Sequence, residues 1–261
     1  MNNIRTLVCG TLLILTGFNI HAASTAAFTN QVDAFLKENV NRGYVKYKSI
    51  TEKPDKLNAL LQQIASIQLN ELSAEEQKAF LINAYNILVI KNVVDVFPVE
   101  SPLDVKGFFD VKTFDVSGQQ VTLNHLEKEM LYKNYPDARL HFVLVCAAIG
   151  CPKLSNNAYR TEILEKQLDI QTRKTLNNPK FIQDSKDKVL LSEIFKWYEK
   201  DFVQPDQSLI EYINTFRALP IEADKPVDYY TYNWQINSAK TLKDRDGIKS
   251  KLESEEQPSE E

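Results

Sequence analysis

Glycine, cysteine and histidine are all scarce in this 261-residue chain, and each shortage excludes something. Beyond the N-terminal segment the glycines are Gly43, Gly107, Gly118, Gly150 and Gly247, no two within ten residues of each other. A phosphate-cradling loop, a dinucleotide fingerprint or a Gly-x-Ser-x-Gly elbow needs closely spaced glycines, so none can be built. No block of Lys or Arg stands out. With 31 basic against 35 acidic residues the net charge is −4, which argues against nucleic acid or anionic lipid held through a basic surface. Three cysteines are too few for a disulfide-dense miniprotein. At 43% hydrophobic and 25% charged the composition is that of a globular chain. No cofactor motif is present.

The start of the chain has the plan of a secretory signal. Met1 to Arg5 is positively charged, Leu7 to Ile20 is an uncharged apolar run, and small residues follow at Ala22 and Ala23. The run is short for a membrane span, which needs about 20 apolar residues. Residues 1–22 are therefore expected to be cleaved, leaving a chain without a transmembrane segment in the periplasm or secreted. Residues 23–240 are expected to form a single domain, and the Ser/Glu/Lys-rich residues 241–261 a charged, disordered tail.

Phe28, Val32, Phe35 and Leu36 recur with helical spacing, as do Leu57, Leu60, Leu61, Ile64 and Ile67. A short strand is expected at Tyr44 to Tyr47. Ser73-Ala74-Glu75-Glu76 is a capping box. It opens a helix to about Val94 that is apolar on most sides, and Phe97-Pro98 ends it. Val111 to Val116 and Gln120 to Leu123 flank a Ser117-Gly118 turn and predict a hairpin. A helix from Asn124 to Lys133 and a buried strand at Leu140 to Val145 follow. Helices at Thr161–Leu176, Glu193–Lys200 and Leu209–Phe216, short strands near Phe181 and Val189, and a Tyr-rich strand at Val227–Ile236 complete the pattern. Helices and hairpins in mixed order predict an α+β domain, with helices around a small, mostly antiparallel sheet.

Beyond the leader the candidate chemistry rests on Cys146, Cys151, His125 and His141. In an oxidising compartment Cys146 and Cys151 form a disulfide if the loop between them turns back. Left free, Cys146 at the exit of a buried strand is a candidate nucleophile. Dithiol exchange is a third reading, though the spacing is Cys-x4-Cys. On a regular strand His141 and Cys146 point to opposite faces, so His141 reads first as a hydrogen-bonded structural residue. His125 lies in the first turn of a helix, either as a surface or capping residue or as a base for Cys146. A zinc site from two Cys and two His matches no standard spacing. Asn83 and Asn86 interrupt the apolar helix at i, i+3. As buried amides they anchor a neighbouring loop, or they orient a catalytic group. Glu127 is open to both kinds of role, while Trp197 and Trp234 read as core.

FLINAYNILVI (80–90), VTLNHLEKEML (121–131), DARLHFVLVCAAIGCPKL (137–154), IFKWYEKDF (194–202) and YNWQIN (232–237) together resemble the DUF547 family of uncharacterised proteins. The resemblance implies a site around the Cys146 loop, the Asn83/Asn86 helix and the Glu127 helix. It further implies a fold distantly similar to papain-like thiol hydrolases. The family pattern on the post-hairpin helix is Ile-Glu-His, where this chain has Leu126-Glu127-Lys128. If that histidine were the base, His125 would have to substitute.

Two expectations about function follow. In one, the chain is a thiol-dependent hydrolase or acyl transferase: Cys146 attacks, His125 or His141 is the base, and Asn83 or Asn86 orients the base or the oxyanion. In the other, it is a non-catalytic envelope domain with Cys146 and Cys151 oxidised, whose partner is a peptide, glycan or small molecule.

Overall fold

Residues 17–240 are described in the computed structural model, with side chains from Thr25 onward. The charged start, most of the apolar run and the tail from residue 241 lie outside the described residues. The expected cleavage point at Ala22 falls within a helix, Gly17–Asn39. The inner face of that helix carries Phe28, Val32, Phe35 and Leu36, none more than 3% exposed, as the 3.6-residue period requires. Arg42 and Gly43 both have positive φ. They reverse the chain so that Val40–Asn41 pairs antiparallel with Tyr44–Val45. This ladder is shorter than the expected strand because Tyr47 already opens the helix Tyr47–Glu52. The helix Asp55–Ser66 then lays Leu57, Leu60 and Ile64 against the core.

The central helix, Ala74–Val96, starts as its sequence dictates. Glu76 N–H donates to Ser73 Oγ at 3.3 Å and Ser73 N–H donates to Glu76 Oε2 at 2.9 Å, a reciprocal cap for two otherwise orphaned donors. Every residue from Ala79 to Ile90 is buried. Each large apolar side chain so covered contributes about 1.5–3 kcal/mol, which makes this helix the axis of the core. It is also long and apolar enough to cross a membrane, but 78% of its apolar window is covered by the fold.

Among the described residues the expected single sheet is three small ones. Besides the first ladder, Thr113–Val116 pairs antiparallel with Gln119–Thr122. Ser117 and Gly118 at the turn have φ of 55° and 75°, the left-handed pair that suits a two-residue hairpin. Ile182–Asp184 pairs antiparallel with Val189–Ser192, which pairs in parallel with Val227–Tyr230. The α+β mixture is therefore observed, distributed around the central helix.

The expected buried strand at Leu140–Val145 does not form. Asp137 Oδ1 accepts from Arg139 N–H at 2.9 Å and starts a 3₁₀ turn, Ala138–Phe142. Beyond it the backbone is fixed by a side chain: Asn86 Nδ2 donates to Val143 O at 2.9 Å, and Val145 N–H donates to Asn86 Oδ1 at 3.1 Å. A short apolar run buried on all sides has no periodicity by which strand and helix differ, and here the amide takes the place of a strand ladder. The expected helix Glu193–Lys200 is likewise two short pieces, Ile194–Trp197 and Glu199–Phe202, broken at Tyr198. The helix Leu209–Phe216 opens with a second capping box, Ser208 and Glu211. The closing strand stops at Tyr230, after which the chain leaves the sheet and packs on the Cys146 loop.

Candidate functional site

A cavity of about 280 Å³ opens where the central helix, the post-hairpin helix, the Cys146 loop and the closing segment converge. The helix after the hairpin begins with Thr122 as cap, its Oγ1 accepting from His125 N–H at 3.1 Å. From Leu126 to Tyr132 it is wound as a π-helix. Lys133 N–H reaches back five residues to Lys128 O at 3.1 Å. This wider winding is uncommon and recurs at functional sites. Glu127 and Tyr132 from the π-helix, with Asn124 from the turn before it, line one wall of the cavity.

Glu127 Oε2 accepts from Tyr85 Oη, on the central helix, at 3.0 Å. Burial pushes the Glu127 carboxyl up, against the opposing pull of the Tyr85 bond, His141 and Lys128. A carboxyl raised by burial and facing a cavity is a candidate acid–base group or counter-ion for a ligand. Burial also raises the hydroxyls that face it, Tyr198 to about 12, with Glu127 and Asp201 adding to the effect.

Cys146 and Cys151 lie at disulfide distance, their Cα atoms 6.5 Å apart, and both line the cavity. Ala147, between them, has a φ of 64°, a left-handed conformation that a non-glycine residue holds only when its surroundings enforce it. The enforcement is visible. Asn237 N–H donates to Ala147 O, Ile149 N–H to Gln235 O and Gly150 N–H to Asn233 O, each at 2.8 Å. Tyr232 from the same segment places its hydroxyl 2.9 Å from Cys151 Sγ and 3.2 Å from Cys146 Sγ. Its own N–H donates to Glu193 Oε2 at 2.8 Å.

Gly150 is where this packing is tightest, for reasons of space and not of backbone torsion. A Cβ there would stand 2.9 Å from the Tyr232 ring. Gly150→Ala is expected to displace that ring from the sulfurs and to cost roughly 1–3 kcal/mol, the usual penalty of overpacking. Denaturant midpoints of the variant and parent measure it, and an unchanged midpoint refutes it.

The other expected residues divide clearly. His141, 6% exposed, stacks on Tyr132 with centroids 4.7 Å apart and also meets Tyr198 and Phe202. Its Nε2 is 2.7 Å from Asp201 Oδ2. It lines the cavity with Cys146, but among the described residues no hydrogen bond joins either histidine to either sulfur. The opposite-faces reasoning lapses with the missing strand, and His141 remains a packed, hydrogen-bonded residue. His125 is exposed and is not among the cavity residues. Its short helix turns it outward while Glu127 turns in.

Asn83 and Asn86 lie outside the cavity and clamp backbone. Asn83 Nδ2 donates to Tyr159 O at 2.7 Å and Asn83 Oδ1 accepts from Tyr159 N–H at 2.9 Å. Asn86 holds Val143 and Val145, immediately before Cys146. Trp197 and Trp234, expected in the core, instead line the cavity, and Trp197 is 45% exposed. They pack with Tyr232, at centroid separations of 4.8–6.0 Å among the three rings. Sequence reasoning missed Tyr85, Asp201 and Tyr232 altogether. The one available signal for Tyr232 was its place in YNWQIN, a motif dense in aromatic and amide groups. Among the described residues no group of His, Cys, Asp and Glu is arranged to hold a metal ion.

No curated protein and no solved structure matches the chain. The papain-like expectation therefore has no support, and the fold stands as helices mixed with small sheets. The family match is also shorter than the motifs suggested. Trp197, Tyr198, Tyr232 and Trp234, a whole side of the cavity, lie beyond it. Residues 69–176 match the family model described as "Protein of unknown function, DUF547", and they hold the central helix, the π-helix carrying Glu127 and both cavity cysteines.

Proposed function

We propose that this chain is an exported, non-catalytic binding domain that takes a small molecule or the end of a peptide in its aromatic cavity. The observation that carries the reading is the pairing of Cys146 with Cys151 in the cavity wall. It leaves no free thiolate for attack, and His141 is committed to Asp201. Most of the wall is aromatic or aliphatic, with a few polar groups converging on it, the usual make-up of a small-ligand site. Export accords with the charged start and apolar run of the sequence, and with an oxidising compartment in which a cysteine pair persists.

Alkylation tests this reading. In the native, unreduced protein, iodoacetamide is expected to label neither Cys146 nor Cys151, and peptide mass spectrometry to recover them cross-linked. Rapid labelling of Cys146 without reductant would overturn the binding reading in favour of the thiol-dependent hydrolase. One feature favours that second reading for a reduced form. The Tyr232 hydroxyl lies 3.2 Å from Cys146 Sγ, and a donor aimed at a sulfur stabilises its thiolate. Ester or thioester turnover that appears only after reduction, and is lost in Cys146→Ser, would establish it.

A further inference from the structure

We propose that the ligand of this cavity is an organic cation, an ammonium group on an apolar body, with its charge set against Glu127 and its body against the aromatic wall. The inference rests on the binding reading above and specifies its chemistry.

The charges of the wall carry it. Among the described residues no Lys or Arg lines the cavity, and Glu127 is its one carboxylate. An anionic ligand would meet a negative group with no cation to offset it. Glu127 accepts one hydrogen bond, from Tyr85, although a carboxylate has room for about four. Among the described residues no Lys or Arg forms an ion pair with it. Burying a carboxylate without a counter-ion is costly, and its raised titration records that cost. An ammonium in the cavity would supply the missing partner.

Two further features point the same way. Trp197, Tyr232 and Trp234 form a cluster of ring faces at the wall, and such faces attract ammonium groups. The Tyr132 hydroxyl is buried, has no hydrogen-bond partner and belongs to a residue lining the same cavity. Its oxygen can accept an N–H.

Binding a cation favours ionised Glu127, so uptake releases protons and affinity rises with pH until that carboxyl is fully ionised. The groups bearing on Glu127 are Tyr85 on the central helix, Lys128 and Tyr132 on its own helix, His141 on the 3₁₀ turn, and Tyr198 on the 194–202 segment. Asp201, paired with His141, bears on Tyr132 and Tyr198, and Tyr232 on the closing segment bears on Tyr85. The cations among them are His141, when protonated and already tied to Asp201, and exposed Lys128.

The chain's two tryptophans both sit on the wall, so intrinsic fluorescence excited at the indole band reads occupancy directly. The unreduced protein is titrated with 2-phenylethylamine, 2-phenylethanol and phenylacetate, and with N-acetyl-lysinamide to distinguish a peptide side chain from a free amine. One or both amines are expected to bind at least about tenfold more tightly than the alcohol, and the carboxylate more weakly still. Glu127→Gln, which keeps an acceptor for Tyr85, is expected to abolish the preference. If that variant does not fold, the pH dependence of amine binding to the parent protein carries the test, and an amine affinity that stays constant as acid protonates Glu127 overturns the inference. Equal affinity for alcohol and amine, unchanged in Glu127→Gln, overturns the cation and leaves the binding reading standing. No response to any probe overturns both.

Discussion

Asn86→Leu is expected to lower the unfolding free energy by roughly 2–6 kcal/mol, although it places an apolar side chain of similar size in an apolar helix. The loss arises outside the helix. The Asn86 amide donates to Val143 O at 2.9 Å and accepts from Val145 N–H at 3.1 Å. Val143 and Val145 are 1% and 3% exposed, so water cannot replace what is removed. Each orphaned backbone group costs about 1–3 kcal/mol, and there are two. Urea titrations of parent and variant give the difference as a lower midpoint at unchanged slope. A midpoint within about 0.5 kcal/mol of the parent, the scale of an ordinary surface change, would mean that the 143–145 segment is held by something else. The substitution is expected to reach the site as well, because these residues lead directly into Cys146.

Asp137→Asn is the second large effect, and it depends on pH. Asp137 accepts from Arg139 N–H, Nε and Nη2 at 2.8–3.0 Å and from Lys78 Nζ at 2.8 Å. It thereby joins the central helix to the turn that carries His141. Arg139 extends the network to Glu165 and Asp169 on the helix Leu164–Leu176. Burial alone would raise the Asp137 carboxyl, but the Arg139 and Lys78 hydrogen bonds outweigh it and hold the group at about 2. The side chain is only 13% exposed, so solvent screens little of this. The gap from an ordinary aspartate corresponds to roughly 2.5 kcal/mol. Because the folded value is depressed, that stability is present above the ordinary aspartate range and is lost as pH falls toward about 2. Asparagine keeps the cap on Arg139 N–H but carries no charge for Lys78 and Arg139. The parent should exceed the variant in unfolding free energy at neutral pH, with the difference shrinking as pH falls from about 5. A difference that does not vary with pH would show the cost to be packing and not charge.

Local signals read well wherever the physics is local. Ser73 and Glu76 announce the central helix because a capping box needs only four consecutive residues. Ser117-Gly118 announces the hairpin because left-handed torsions are a property of those two positions. The buried faces of Phe28 to Leu36 and Leu57 to Ile64 follow from helical period alone. The 140–145 segment was misread because its conformation is set by an amide 57 residues earlier in the chain. The tryptophans were misread for a related reason: a large aromatic ring suits a core and a cavity wall equally well, and only its neighbours decide which.

The candidate site divides along the same line. The short roll of reactive side chains, the polar interruption at Asn83 and Asn86 and the importance of the Cys146 loop were legible, because rarity and pattern are properties of the chain itself. The choice between paired and free sulfurs, the outward turn of His125 and the isolation of Glu127 were not. Each depends on contacts across long separations, such as Tyr232 with Cys151 or Tyr85 with Glu127. Secondary structure and the inventory of chemistry therefore came from neighbours in sequence, where torsions and spacing act. Which groups meet, and what charge each then carries, came from packing, because burial and long-range hydrogen bonds exist only once the chain has folded.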